Sequence, residues 1–242
     1  MKTDSLGMNY GIGLFETLRI RAGRPEYLEA HLKRFMDSAE ILEFKDIGRD
    51  SLVKALEDHL QASGLREGRL KILYNDLGLF VTSGDNPYGD ADYERGMALR
   101  LSKVRVPTRS LYTLKTTNYL IPYYEHQKAK AAGFDEVIFT NDLGNLVEGS
   151  KSNLFLIKND KVVTPDLQSG CLEGILRQVI LADLGEICTE TEIKSETLPE
   201  FEAGFITNSL MGVMPIAEIE GQVYNRHHPL IQELIKIYSK EG

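Results

Sequence analysis

The chain is predicted to adopt an α+β fold in two lobes. Strand-period and helix-period segments are mixed along it, without the regular βαβ alternation of a doubly wound sheet. A stretch poor in large aliphatic residues, SGDNPYGDADYERG at 83–96, interrupts them with Gly, Asp, Asn and Pro and marks a boundary. The division expected is a smaller lobe at 1–83, a linker at 84–96 and a larger lobe at 97–242. A length of 242 residues suffices for one large domain or two small ones with a sizeable core.

The elements follow in order. GLFETLRIR, Gly13–Arg21, alternates Phe15, Thr17 and Arg19 against Leu14, Leu18 and Ile20, as a strand does, and Gly23–Pro25 is turn chemistry. Apolar residues at 28, 32, 35, 39 and 42 form a helical stripe over Leu28–Phe44, and Leu52, Leu56 and Leu60 form another over Ser51–Ser63. Arg69–Thr82 reads as a hairpin turning at Asn75–Gly78. Past the boundary, Met97–Val106 alternates as a strand. Asn118–Ala132 reads as a helix capped by Gly133. Strands are expected at Glu136–Thr140, Asn153–Lys158, Phe205–Thr207 and Met214–Ile219, and helices at Gly174–Leu184 and Leu230–Ser239. No internal repeat or low-complexity tract is present.

Composition narrows the function. Hydrophobic residues make up 42% and charged residues 26%, as in ordinary globular proteins. A formal net charge of −8 gives no reason to expect nucleic acid or an anionic membrane as partner, although a local anion site is compatible with it. No apolar run approaches the roughly 18 residues of a membrane span. The opening MKTDSLGMNYG lacks an apolar core, so no signal peptide is expected. Cys171 and Cys188 have no metal-ligand spacing, so no metal is expected; reduced thiols and a cytoplasmic location are.

The chemistry concentrates in FDEVIFTNDLGNLVEGSKSNLFLI, Phe134–Ile157, and in LKTTNYL, about thirty residues before its Glu148. Lys115 lies among apolar and hydroxyl residues, where desolvation lowers an amine's pKa, as an imine-forming lysine requires. Glu148, after the turn-forming DLGN, is placed to face a pyridinium. A lysine and an acid at the two ends of a ring are what pyridoxal phosphate chemistry needs. Taken singly, each has a plainer alternative: a solvated strand-edge lysine, and a solvated glutamate after a hairpin. GCLEGILRQV, Gly170–Val179, opens a helix with a glycine, so the amides of Ile175 and Leu176 are candidates for a phosphate, or simply an ordinary helix start. TNSLMGVMP, Thr207–Pro215, offers hydroxyls and turn amides to a phosphate or carboxylate, or is a plain loop. Arg34 is a candidate phosphate donor or a solvated helix charge. His31 beside it reads as structural.

The blocks YGIGLFETLR, EAHLKRF, LKTTNYL, FDEVIFTNDLGNLVEGSKSNLFLI, CLEGILRQ and FITNSLMGVMPI, in that order from Tyr10 to Ile216, resemble the class IV aminotransferase family of pyridoxal phosphate enzymes, fold type IV. The resemblance implies a smaller N-terminal α/β lobe, a larger C-terminal mixed-sheet lobe that binds the cofactor, and a homodimer with its active site at the lobe boundary. It implies that Lys115 is the Schiff-base lysine and proton shuttle, and that Glu148 pairs with the pyridine nitrogen. Arg34, the Ile175 and Leu176 amides, and Asn208 with Ser209 would hold the phosphate. Leu210 and Met211 would lie near a substrate carboxylate. Tyr119 would approach the phenolic oxygen, although its spacing from the lysine is one residue shorter than in branched-chain members. The family includes branched-chain aminotransferases, D-amino acid aminotransferases and aminodeoxychorismate lyases. Thr17 in FETLR, where lyases carry a threonine that assists proton transfer, and the form of TNSLMGVMP favour the lyase. The activity so implied converts 4-amino-4-deoxychorismate to 4-aminobenzoate and pyruvate, in folate biosynthesis; the alternative is amino-group transfer from branched-chain or D-amino acids to a 2-oxo acid. Two departures stand out. The chain starts nine residues before Tyr10, so either part of the first sheet is expected to be missing or the N-terminal lobe to be reduced, and the phosphate turn reads GILR where the family has GITR.

Overall fold

A computed structural model describes residues 4–44, 46–108 and 111–239, which divide into two compact units. The first comprises Met1–Pro87 and Leu114–Tyr119, the second Tyr88–Thr113 and Leu120–Gly242.

The first unit contains α1 (Leu6–Tyr10), β1 (Gly13–Arg21), β2 (Arg24–Pro25), α2 (Leu28–Ile41), α3 (Arg49–Ser63), β3 (Gly68–Asn75) and β4 (Gly78–Gly84). Its sheet runs β2-β1-β3-β4, all antiparallel. Period-two alternation puts Leu14, Leu18 and Ile20 of β1 and Leu70 and Ile72 of β3 on one buried face. Leu32 and Phe35 of α2 and Leu52 and Leu56 of α3 cover that face. The expected hairpin is present, Asn75 pairing with Gly78, with the Asn75 Oδ1 accepting the Leu77 amide at 2.9 Å. The helix expected over Leu28–Phe44 stops at Ile41, because Glu43 takes a left-handed φ of 56°. The sheet of this unit has four strands.

The second unit contains α4 (Asp90–Arg95), β5 (Met97–Val106), α5 (Leu120–Ala131), β6 (Glu136–Asn141), β7 (Leu146–Gly149), β8 (Asn153–Lys158), β9 (Lys161–Pro165), α6 (Ile175–Leu184), β10 (Cys188–Thr191), β11 (Ala203–Asn208), β12 (Gly212–Ile219), β13 (Gln222–Val223) and α7 (Pro229–Tyr238). The sheet order is β10-β9-β8-β11-β12-β5-β6-β7, with β13 on β12. Parallel pairs (β12 with β5, β5 with β6, β9 with β10) interrupt antiparallel ones, so the sheet is mixed. Its centre is apolar on both faces: Leu154, Phe155, Leu156 and Ile157 of β8 are all fully buried, as are Phe205 and Ile206 of β11.

Three expectations need correction. The stretch 84–96 is not an extended linker: the boundary falls between Pro87 and Tyr88, and Asp90–Arg95 forms α4, with Asp92 accepting the Gly89 amide at 3.0 Å. The Lys115 segment groups with the first unit rather than with 97–242, because its backbone pairs with β1. Strand β9 was not anticipated. It is turned onto β8 by Asn159 and Asp160, both at positive φ (52° and 58°), a two-residue turn that Asn and Asp accept.

Candidate active site

In the first unit, strand alternation places Glu16 on the buried face of β1, in line with Leu14 and Leu18, with only 1% of it exposed. A carboxylate there must be paired. Helix α2 supplies His31 and Arg34, three residues apart and so on one face. Arg34 donates from Nε to Oε1 at 2.8 Å and from Nη2 to Oε2 at 2.7 Å, while His31 Nδ1 lies 2.7 Å from Oε2. Burial alone would raise the Glu16 pKa, but the charge of Arg34 and the hydrogen bonds of His31 and Arg34 outweigh it and hold the carboxyl at about 2. Burial pushes His31 below its ordinary value, more than its hydrogen bond to Glu16 raises it. His31 is therefore structural, as its sequence context suggested.

The opposite face of β1 carries Phe15, Thr17 and Arg19. The Phe15 amide donates to the Lys115 carbonyl at 3.1 Å, and the Thr117 amide donates to the Gly13 carbonyl at 2.9 Å. This tether sets the Lys115 ammonium 4.5 Å from the Phe15 ring centroid, where the ring's negative face attracts it. Tyr119 meets the same ring edge-on at 5.6 Å. Gly13 is required by the close approach, since a Cβ there would lie 2.7 Å from the Tyr74 carbonyl and 2.8 Å from the Thr117 hydroxyl. Thr17 is half-buried and stands opposite Lys71 of β3, whose amine lies 4.7 Å from the Phe15 centroid and whose pKa is lowered, by burial first and then by Arg69.

In the second unit, Glu148 stands at the end of β7. Its Oε2 accepts the Leu172 amide at 3.0 Å and the Asn153 side-chain amide at 3.2 Å; Asn153 also donates to the Leu172 carbonyl at 2.9 Å. Gly174 is the N-cap of α6 and provides no side-chain cap, which leaves the first-turn amides of Ile175 and Leu176 to an external acceptor. A Cβ on Gly174 would fall 1.9 Å from Asn153 Oδ1, so this cradle admits only glycine. Arg177, in the same first turn, is turned away, donating to the Pro165 carbonyl and to Glu190. Beyond β11, Asn208 Oδ1 accepts the amides of both Leu210 and Met211 at 2.9 Å, and its Nδ2 donates to the Lys151 carbonyl at 3.1 Å. Met211 has its side chain in the core and its carbonyl bonded to the Tyr93 hydroxyl at 2.7 Å. Ser209 follows Asn208 in this turn and is half-buried.

The first unit thus brings together Lys115, Tyr119 and Phe15, and Arg34, His31 and Glu16, close enough that the Lys115 charge also lowers the His31 pKa. The second unit brings together Glu148, Asn153 and the start of α6. Sequence reasoning did not anticipate Glu16, Phe15, Lys71 or Asn153. For Glu16 a signal existed: a lone acid in the apolar register of a strand demands a buried cation. Among the described residues no group of His, Cys, Asp or Glu is arranged to hold a metal ion, and no helix is long and apolar enough to cross a membrane.

Taken unit by unit, the donors suit the parts of a phosphorylated pyridine. An uncapped helix start with a glycine cradle suits a phosphate, an acid anchored by a backbone amide suits a ring nitrogen, and an amine held on an aromatic face suits an aldehyde. The four-stranded sheet and the larger mixed sheet, with the family match that follows, define a pyridoxal phosphate enzyme of fold type IV. Residues 13–219 match the profile of the family described as Amino-transferase class IV, whose members are pyridoxal phosphate enzymes. The chain belongs to that family. It is similar to the aminodeoxychorismate lyase of Bacillus subtilis (strain 168), 26% identical over 255 residues that span 97% of this chain and 87% of that one. It is also similar to the branched-chain-amino-acid aminotransferase of Pseudomonas aeruginosa, 26% identical over 262 residues, 96% of this chain and 84% of that one. The crystal structure of the branched-chain aminotransferase of Thermoproteus uzoniensis superimposes with a TM-score of 0.84 at 26% identity, covering 97% of this chain and 86% of that one.

Proposed function

We propose that the chain is a pyridoxal phosphate-dependent lyase that converts 4-amino-4-deoxychorismate to 4-aminobenzoate and pyruvate. Pyridoxal phosphate, when bound, supplies an aldehyde for the substrate amine and a ring that accepts electrons. In this reading Lys115 is the residue that anchors it and then moves protons at the substrate. Glu148 holds a proton on the ring nitrogen. Arg34, the Ile175 and Leu176 amides, Asn208 and Ser209 would bind the phosphate, and Tyr119 would meet the phenolic oxygen. The conversion needs no water, oxidant or amino acceptor. A proton leaves the amine-bearing ring carbon, the bond from the ring to the enolpyruvyl oxygen breaks, and the released enolpyruvate takes a proton on carbon. Thr17 assists that last transfer, and aromatisation of the ring drives it.

One observation carries the lyase over the aminotransferase. An amino acid has a carboxylate on its amine-bearing carbon, and the resemblance assigns that carboxylate to the turn at Leu210 and Met211. Both amides of that turn are already taken by Asn208 Oδ1. In 4-amino-4-deoxychorismate the amine-bearing carbon has no carboxylate, so its conversion does not need those donors. Leu210 then contributes apolar contact, and Met211 shapes the turn from within the core. The second reading, an aminotransferase using branched-chain or D-amino acids with a 2-oxo acid, draws on the Pseudomonas aeruginosa relative. We also read the chain as a homodimer, since Leu120, Ile121, Tyr123 and Tyr124 of α5 are exposed together, and as cytoplasmic, since Cys171 and Cys188 are both free thiols. Folate biosynthesis is the setting that 4-aminobenzoate release implies.

The test is to supply 4-amino-4-deoxychorismate without any 2-oxo acid. Equal release of 4-aminobenzoate and pyruvate, lost in Lys115→Ala, supports the lyase. Absence of both products from a protein that binds the cofactor, with amino-group transfer from an amino acid, overturns it in favour of the aminotransferase.

A further inference from the structure

Under Glu148 lies a second acid, Glu136 of β6, with 1% of it exposed. It accepts from the Ser150 hydroxyl at 2.5 Å, the Ser150 amide at 3.2 Å, the Ser152 hydroxyl at 3.3 Å, the Val137 amide at 2.8 Å and His126 Nδ1 at 3.2 Å. Three of these five donors belong to the three-residue connection between β7 and β8, Ser150 to Ser152. The connection sits directly on the carboxylate: a Cβ on Gly149 would lie 3.3 Å from Glu136 Cδ and 2.2 Å from the Ser152 hydroxyl. Asn153 follows this connection directly and Glu148 precedes it by one residue, Gly149; the two bond to each other and to Leu172. Its apex, the Lys151 carbonyl, accepts from Asn208.

A buried carboxylate is a costly way to stabilise a core, where apolar side chains serve at least as well. Its use is geometric: several converging donors fix a short turn in one conformation. We propose that Glu136 is a positioning residue for Glu148, fixing from beneath the turn that sets where that acid and its partner Asn153 stand. The proposal rests on the reading of Glu148 as the acid of the cofactor's ring nitrogen.

Glu136→Gln tests it in two arms. In the cofactor-free protein, hydrogen exchange at the Leu172 amide, which rests on Glu148, is expected to quicken about tenfold. The amides of α7, which packs on β12, are expected to keep their wild-type rates. In the second arm, pyridoxal phosphate is titrated and its absorbance followed; affinity is expected to weaken about tenfold. Ser150→Ala, which removes one hydroxyl and leaves the carboxylate, is expected to move both readouts in the same direction, by about threefold, and carries the comparison if Glu136→Gln fails to fold. Unchanged exchange at Leu172 overturns the proposal. Exchange that quickens uniformly across the unit, with cofactor affinity unchanged, also overturns it, because that is a purely structural role. Should the wild type bind no pyridoxal phosphate, the reading of Glu148 fails, while the exchange arm still decides whether Glu136 positions it.

Discussion

Replacing Glu16 with Gln removes a buried charge and keeps its shape. The carboxyl sits at about 2 against an ordinary 4.5, and the group is almost wholly buried, so little solvent screening applies. A difference of that size corresponds to about 3 kcal/mol. The folded-state pKa is depressed, so this stability is present above the unfolded value of 4.5 and is lost as pH falls through about 2. At pH 7 the variant also leaves the Arg34 guanidinium half-buried without its anion, which costs roughly 3–5 kcal/mol in comparable buried pairs. The chain has no tryptophan, so urea unfolding is followed by far-ultraviolet circular dichroism. Wild type minus variant is expected to be large at pH 6–7 and to shrink by about 3 kcal/mol as pH falls from about 5 toward 2. A difference that stays constant across this range would refute the assignment of Glu16 as an ionised, paired acid.

Gly174→Ala is compatible with the local backbone, φ −68° and ψ 139°, so its effect isolates the steric clash with Asn153. Cofactor affinity is expected to fall about tenfold or more, and an unchanged titration would remove the cradle from the site. Asn208→Gly frees the amides of Leu210 and Met211. At cofactor concentrations that saturate the variant, so that losing Asn208 from the phosphate site does not mask the effect, amino-group transfer from a branched-chain or D-amino acid to a 2-oxo acid is expected to rise about tenfold over wild type; no rise under saturation would mean the asparagine does not exclude a carboxylate. Phe205→Ala breaks the stack of Phe155 on Phe205, 4.8 Å apart and both fully buried. It is expected to cost about 3–5 kcal/mol in thermal or urea unfolding. Lowering the pH below about 6.5 begins to destabilise the first unit before Glu16 titrates, because His31 is buried with a lowered pKa. The folded state then resists a proton that the unfolded chain accepts, so stability is lost as pH falls below the ordinary histidine value. His31→Gln is expected to flatten that part of the curve, measured in the same unfolding series.

Local periodicity carried most of the secondary structure. Strands at Gly13–Arg21, Met97–Val106 and Asn153–Lys158 and the hairpin at Asn75–Gly78 are legible because alternation and turn chemistry are properties of neighbouring residues. Strand β10 was missed because it is a short polar edge paired on one side only, so its sequence, CTET, carries no apolar alternation. Lys115, Glu148, Arg34 and the start of α6 were legible as candidates through the order of six short blocks, a pattern along the chain.

What tertiary structure decided is pairing at a distance. Nothing in FETLR or EAHLKRF taken alone says that Glu16 meets Arg34 across 18 positions, since that bond exists only once α2 lies on the sheet. Only pairing with β1 assigns Leu114–Tyr119 to the first unit instead of the larger lobe that precedes and follows it. The amides of Leu210 and Met211 look available in a sequence and are spent in the structure, because an asparagine side chain can close on its own turn. The sequence by itself determined which residue types are present to bind a phosphate, hold a ring and move a proton. Which of their donors and acceptors remain open was decided by the fold, because hydrogen bonds and buried charges are satisfied in space and not along the chain.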